Sequence, residues 1–175
     1  KLTDLQSFRA RIWEDTDNAR YVFPATLLNP QSTLTDYVNW ALDVPMYFIV
    51  RDGVYLDYTG RSFRQFMAEG LDGYTATMGD FALHLSTLFP ETRLKQHLEV
   101  RGADMGGRDD VIAMPALHTG IFYDKPTLDD CLRLFDGVDY AEWWRARREL
   151  SIKGINATLN GRPMRDWMLD VLQLA

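Results

Sequence analysis

Apolar and polar positions along this chain fall into short patterns that predict strands early and helices late. Phe8-Arg9-Ala10-Arg11-Ile12-Trp13 alternates apart from Trp13. That predicts a strand with Arg9, Arg11 and Trp13 on one face. Residues 14–20 read as a polar turn. The turn is not a calcium loop, because Ala19 and Arg20 stand where such a loop needs an oxygen ligand and a glycine. Residues 21–34 carry Pro24 and Pro30 and read as loop. Thr35–Asp43 predicts a helix stopped before Pro45. Met46–Val50 and Val54–Tyr58, joined through Asp52-Gly53, predict a hairpin. Ser62–Ala68 predicts a helix, Gly70 and Gly73 a flexible link, and Asp80–Phe89 a helix ended by Pro90.

The stretch Arg93–Arg101 alternates almost without fault. Read as one strand, it puts Leu94, Leu98 and Val100 on one side, and Arg93, Lys95, His97, Glu99 and Arg101 on the other. Beyond it the pattern turns helical. Helices are expected over 110–123, with a kink or break at Pro115, over 127–135 and over 140–149. A last helix carries the stripe Met164, Trp167, Met168, Val171 and Leu172, which reads as core packing. The fold class is therefore α+β: antiparallel strands from the first two-thirds, helices on one face and a helical C-terminal region.

Composition narrows the function classes. The 175 residues suit one domain, and 46% hydrophobic content is enough for a core. The net charge of −6, from 25 acidic and 19 basic residues, argues against a chain built to hold nucleic acid. Clustered arginines can still bind a small phosphate ligand, since that needs only local charge. No apolar run is long enough to span a bilayer, and no signal peptide is expected. The chain opens at Lys1 rather than Met and reads as a piece of a longer protein. The single cysteine, Cys131, lies at helical core spacing between Leu128 and Phe135, so it reads as a buried small hydrophobe in a reducing compartment. The three histidines are too dispersed for a zinc motif.

Chemistry concentrates at 93–101. Residues two apart on a strand have Cα atoms roughly 6.6 Å apart, so Glu99 and Arg101 would be adjacent heads on one surface. A carboxylate can hold Mg²⁺ while a neighbouring guanidinium takes a phosphate oxygen. Alternation alone fits the wet outer face of an antiparallel sheet better still. The cationic face expected for residues 8–13 adds weight to a sheet cupped around an anion.

The residues also carry a resemblance. His84-Leu85-Ser86-Thr87-Leu88-Phe89-Pro90-Glu91-Thr92-Arg93-Leu94-Lys95, running into Leu98-Glu99-Val100-Arg101-Gly102-Ala103-Asp104, resembles the signature block of plant and proteobacterial glutamate–cysteine ligases. Five more blocks follow the family order. They are Ser7 to Arg20, Tyr37 to Phe48, Tyr55 to Gly60 with Ser62 to Phe66, Met114 to Leu117, and Gly120 to Asp124. The resemblance implies a partial glutamine synthetase-like antiparallel sheet. It also implies an ATP- and Mg²⁺-dependent joining of the glutamate γ-carboxylate to the amine of cysteine through an acyl phosphate.

In that light Glu99 is the expected metal ligand, and Arg101 a catalytic and nucleotide contact with Asp104 beside it. Arg9 is expected at the glutamate or its phosphate, and Arg11, Trp13, Asp17, Arg20 and Tyr47 at the substrates. Each of the last group also has an ordinary use in packing, capping or surface pairing. The partners implied are glutamate, cysteine, ATP and a missing N-terminal half of the same enzyme, without which residues 1–175 would not catalyse. The cytoplasm is expected, or a plastid in a plant. Plant members have a regulatory cysteine pair where Tyr58 and the Leu71–Gly73 region stand here, so that thiol control is expected to be absent. The stretch after Asp104, Met105-Gly106-Gly107-Arg108, departs from the family's usual continuation and puts cysteine specificity in question. A γ-glutamyl ligase with another amine acceptor, and a non-catalytic domain of the same fold, are the competing readings.

Overall fold

A computed structural model describes residues 4–21 and 24–175. The chain gathers into two compact units, one of Thr16–Gly102 and one of Lys1–Asp15 with Ala103–Ala175. Among the described residues, helices and three two-stranded antiparallel sheets make up the secondary structure, which is α+β. None of the helices among the described residues is long and apolar enough to cross a membrane.

The Thr16–Gly102 unit is built around a hairpin. β1 (Phe48–Arg51) and β2 (Val54–Asp57) pair in register Phe48 to Asp57 and Arg51 to Val54. The turn forms as expected, because Asp52 (φ 51°) and Gly53 (φ 78°) accept the left-handed conformation a two-residue turn requires. Three helices flank it: α3 (Leu34–Asp43), α4 (Phe63–Glu69) and α5 (Met78–Ser86). Their starts are set by side chains. Ser62 Oγ accepts from Gln65 N at 3.2 Å, and Thr77 Oγ1 from Asp80 N at 3.2 Å. Met46, Ile49, Tyr58, Phe63 and Phe66 form the core, with Ala41, Val44 and Leu88 in a second cluster. Each large side chain so buried is worth about 1.5–3 kcal/mol. His84 packs flat on Phe63, with Nε2 2.8 Å from the Ala41 carbonyl, and burial pushes its pKa down.

The link expected at Gly70 and Gly73 is a closed turn. Leu71 N donates to Tyr74 O at 3.0 Å and Tyr74 N donates back at 2.9 Å. Gly70 has φ 63°, and a Cβ there would meet Tyr74 O at 2.7 Å.

The strand expected over 8–13 is instead helix α1 (Phe8–Glu14), followed by α2 (Asn18–Tyr21). Ser7 Oγ accepts from Ala10 N at 3.1 Å and nucleates α1. On a helix Arg9 and Trp13 share a face and Arg11 points away, so the cationic strand face does not exist. Of the loop expected at 21–34, positions 22 and 23 lie outside the described residues; Ala25–Leu28 forms a 3-10 turn. The single strand expected at 93–101 is a second hairpin, β3 (Thr92–Leu94) and β4 (Leu98–Val100).

In the other unit α1 lies against α8 (Tyr140–Lys153), and Ser151 O accepts from Gln6 N at 2.8 Å. α6 (Arg108–Phe122) continues through Pro115, so of the kink or break expected there the break does not occur. α7 (Lys125–Leu134) begins at Asp124, whose carboxylate accepts from Thr127 N at 3.0 Å, and it buries Cys131 as expected. β5 (Thr158–Leu159) and β6 (Arg162–Pro163) form a hairpin that leads into α9 (Met164–Leu174). Met164 and Trp167 enter the core with Ala146, Ala157 and Leu159, while Met168 and Leu172 stay exposed, so only part of the expected stripe is packed.

Candidate functional site

The β3–β4 hairpin folds the polar face of 93–101 back on itself. Arg93 and Glu99 become directly opposed residues, Thr92 faces Val100 and Leu94 faces Leu98. Lys95 N donates to His97 O at 2.9 Å and closes the turn, while Arg101 N donates to Glu91 O at 2.7 Å and extends the ladder. Tyr37 on α3 supports the outer end, its hydroxyl 3.3 Å from Leu94 N.

This folding gathers four charges. Arg93 Nε and Nη2 lie 2.8 and 2.7 Å from Glu99 Oε2. Lys95 Nζ stands 3.7 Å from the same oxygen, and Arg101 Nε stands 3.7 Å from Oε1. The Arg93 hydrogen bond is the main cause holding the Glu99 carboxyl below its ordinary range, with the charges of Arg93, Lys95 and Arg101 adding to it. Under the cluster lies Phe89, with Arg93 and Arg101 over its ring at 5.8 and 5.2 Å. Arg93 Nη1 also reaches the carbonyl of Leu88 at 3.2 Å, just past the C-terminal end of α5, where backbone carbonyls favour a cation.

Three cations, Arg93, Lys95 and Arg101, thus surround the Glu99 carboxylate on a short hairpin, with the Glu91 carboxylate close to the neighbouring Gly102. Such a cluster suits an anionic ligand with several oxygens, a phosphate above all. As a site for Mg²⁺ it does not suffice. Among the described residues no group of three or more His, Cys, Asp or Glu is placed to hold a metal ion, and Glu99 offers only one carboxylate.

A second group of expected site residues meets around Arg20. Its side chain is buried, and its donors go inward: Nε to Asp17 Oδ2 at 2.8 Å, Nη1 to Thr87 Oγ1 at 2.9 Å and Nη2 to the Pro45 carbonyl. The guanidinium lies over the Tyr47 ring at 3.2 Å, and Tyr47 Oη donates to Asp17 Oδ2 at 3.1 Å. Asp17, Arg20 and Tyr47 are thus one cluster, with Arg20 as its internal clamp. Arg20 O in turn accepts from Phe89 N at 3.0 Å, which ties the clamp to the ring beneath the hairpin cations.

The remaining expected residues belong to the other unit. Arg9 lies over the Trp13 ring at 5.8 Å, and Arg11 pairs with Glu14 at 2.5 Å on the exposed side of α1. Asp104 is exposed in the segment before α6. Arg93, Lys95 and Phe89 were not singled out from sequence. Finding them required the turn at Lys95-Gln96-His97, which contains none of the residues that usually signal one.

The structure supplies an α+β frame with a charged hairpin, and comparison with known proteins defines the family. The glutamate-cysteine ligase family 2 (GCS2) model matches residues 1–174, and the chain belongs to this family. It is 41% identical over 177 residues to the chloroplastic glutamate–cysteine ligase of Brassica juncea, covering 97% of this chain and 34% of that protein. It is 40% identical over 177 residues to the chloroplastic enzyme of Arabidopsis thaliana, covering 97% and 33%. Chloroplastic glutamate–cysteine ligase A of Oryza sativa subsp. indica is 38% identical over 172 residues, with 97% and 35% covered. The chain spans about a third of the length of these relatives.

Proposed function

We propose that these residues are the C-terminal portion of the catalytic domain of a glutamate–cysteine ligase, and that they do not catalyse without the remainder. The observation that carries the reading is the Glu99 carboxylate framed by Arg93, Lys95 and Arg101, at the position where the family block has its Glu-x-Arg pair. The reaction is ATP-dependent. A γ-carboxylate oxygen of glutamate attacks the terminal phosphorus of ATP, ADP leaves, and an acyl phosphate forms. The amine of cysteine attacks the acyl carbon, the C–O bond to phosphate breaks, and the amine loses a proton, giving γ-glutamylcysteine and phosphate, the first step of glutathione synthesis.

In this reading the cation cluster binds phosphate oxygens and spreads the charge that develops on the transferring group. Arg101 makes that contact, with Asp104 assigned to the nucleotide side. Glu99 would supply one oxygen to Mg²⁺, and the remaining ligands would have to come from the rest of the protein. Mg²⁺ would neutralise phosphate charge there. Arg9 is assigned to the glutamate or its phosphate through its family block, and Arg11 and Trp13 to the substrates by the same block. Asp17 and Tyr47 face the substrate side, with Arg20 holding them from behind. The β3–β4 hairpin would extend into the larger glutamine synthetase-like sheet once the remaining strands are present. A reducing compartment suits the one buried thiol, Cys131, whether cytoplasm or the plastid for which the relatives are named.

The test uses the complete protein that contains these residues. ADP release is measured with glutamate and cysteine, then with other amines in place of cysteine, for wild type and Glu99→Gln. Cysteine-dependent turnover in wild type, lost in the variant, supports the reading. Turnover only with another amine keeps the chemistry and changes the acceptor, a change for which Met105-Gly106-Gly107 is the first place to look. Wild type without turnover on any amine overturns it.

A further inference from the structure

The two oxygens of the Glu99 carboxylate are not equivalent. Both Arg93 contacts fall on Oε2, at 2.8 and 2.7 Å, and Lys95 also approaches that oxygen. Oε1 stands on the side of Arg101, 3.7 Å from its Nε. We propose that Arg93 is a positioning residue of the ligase site, clamping Glu99 by Oε2 so that Oε1 stands beside Arg101 for the ligand those two share. The inference rests on the roles of Glu99 and Arg101 given under the proposed function.

Arg93 is built for this task. It directly opposes Glu99 across the hairpin, so the pair is set by register and not by long flexible reach. Its side chain is only 11% exposed. Its third nitrogen is spent on the Leu88 carbonyl, and its plane lies over Phe89. A guanidinium so held has little freedom to follow a ligand, and two of its donors converge on one oxygen, which pins Oε2 in place. Without this clamp the carboxylate would be freer to turn, and Oε1 would no longer be held in its place beside Arg101. Phe89 lies within cation–π range of both arginines.

The test is a double-mutant cycle on the complete protein, with Arg93→Gln, Glu99→Gln and the pair, and with Arg93→Lys as the conservative variant. Initial rates give kcat and KM for each substrate, and titration calorimetry gives ADP affinity for the same proteins. Arg93→Gln is expected to lower kcat/KM for ATP by about 10–100-fold, the usual effect of losing the partner that orients a ligating group. KM for cysteine is expected to stay unchanged. In the Glu99→Gln background the same change is expected to cost less than about twofold, because Arg93 acts through Glu99. Arg93→Lys is expected to recover part of the loss.

Full additivity of the two losses overturns the proposal, since Arg93 would then act on its own. Unchanged ATP kinetics and ADP affinity in Arg93→Gln overturn it too. If Arg93→Gln does not fold, Arg93→Lys decides: wild-type ADP affinity overturns the clamp, and a loss that vanishes beside Glu99→Gln supports it. A wild-type protein that binds ADP but makes no γ-glutamyl product overturns the ligase reading alone, and the ADP cycle still decides Arg93. A wild-type protein that binds no ADP overturns both.

Discussion

Two charged networks in this molecule use similar residues to opposite ends. On α8, Glu142 and Glu149 meet Arg145 and Lys153, two negative charges with two positive. Backbone groups complete the set: Asn160 N donates to Glu142 Oε1 at 2.6 Å and Thr158 N to Glu149 Oε2 at 3.1 Å. That network is closed. It fastens the β5–β6 hairpin to α8 and has nothing left to offer. On the β3–β4 hairpin one carboxylate, Glu99, is met by three cations. Ion pairs by themselves therefore do not mark a site. Under the proposed function the uneven hairpin cluster is the one that serves a ligand.

The comparison breaks most sharply by exchanging the same atom in each network. In the complete protein, Glu99→Gln is expected to lower ADP release by at least about 100-fold, within the range seen when one group that stabilises transition-state charge is removed. Glu149→Gln is expected to leave turnover within about twofold, as for a residue whose charge is already balanced within its own network, while lowering the melting temperature. Equal losses of turnover would show that both networks serve catalysis and would undo the distinction.

Arg20 lies between the two types, a closed cluster that supports an open one. Replacing it with Met removes a buried guanidinium that bonds Asp17, Thr87 and the Pro45 carbonyl. The expected cost is about 3 kcal/mol, from charged hydrogen bonds lost in a buried setting. It is measured by denaturant unfolding of wild type and variant. A cost near zero would mean that the clamp does not organise Phe89 and the hairpin above it.

The pH dependence sharpens the contrast further. The Arg145 hydrogen bond, then the Asn160 N–H, pulls Glu142 from its ordinary 4.5 to about 2. Lys153 first, then Thr158 N–H and Arg145, pulls Glu149 from 4.5 to about 2. A folded-state pKa below the unfolded one gives stability that is present above 4.5 and lost as pH falls toward 2. The melting-temperature gap between wild type and the Glu142→Gln/Glu149→Gln double variant should be constant from neutral pH down to about 5 and close below 4.5. High salt should narrow it at every pH, since the cationic partners Arg145 and Lys153 are exposed.

Legibility followed the length of each element and the presence of turn residues. The first hairpin was readable because Asp52-Gly53 separates two apolar runs. Asn160-Gly161 carries the same signal, with Asn160 at φ 49° and Gly161 at φ 74°, yet it went unread because two-residue strands leave no alternation to notice. Residues 8–13 misled because five alternating positions also place Phe8 and Ile12 one helical turn apart, and the deciding cue was the cap at Ser7. At 93–101 the alternation identified the charged face correctly but not the reversal within it. The cluster was therefore legible in composition, while its geometry, with Arg93 opposed to Glu99, was not.

The smallest expected effect concerns the Leu71–Tyr74 turn. Where the family resemblance puts a regulatory cysteine pair in plant members, Tyr58 is 2% exposed and its hydroxyl donates to the Leu71 carbonyl at 2.9 Å. The hydrogen bond joins the same two places that a disulfide would, between the end of the first hairpin and the turn after α4. It has no redox chemistry, and burial raises the Tyr58 pKa so the hydroxyl keeps its proton. Tyr58→Phe is expected to cost about 1 kcal/mol, the net worth of one buried hydrogen bond. The Leu71 carbonyl keeps its second donor, Tyr74 N, and this limits the loss. The check is thermal unfolding of both proteins with and without a thiol reductant. Wild type should melt at the same temperature in both buffers, and the variant should fall below it by the same margin in each. A reductant-dependent shift would mean that thiols outside residues 1–175 reach this turn, and that the Tyr58 tie had not replaced redox control.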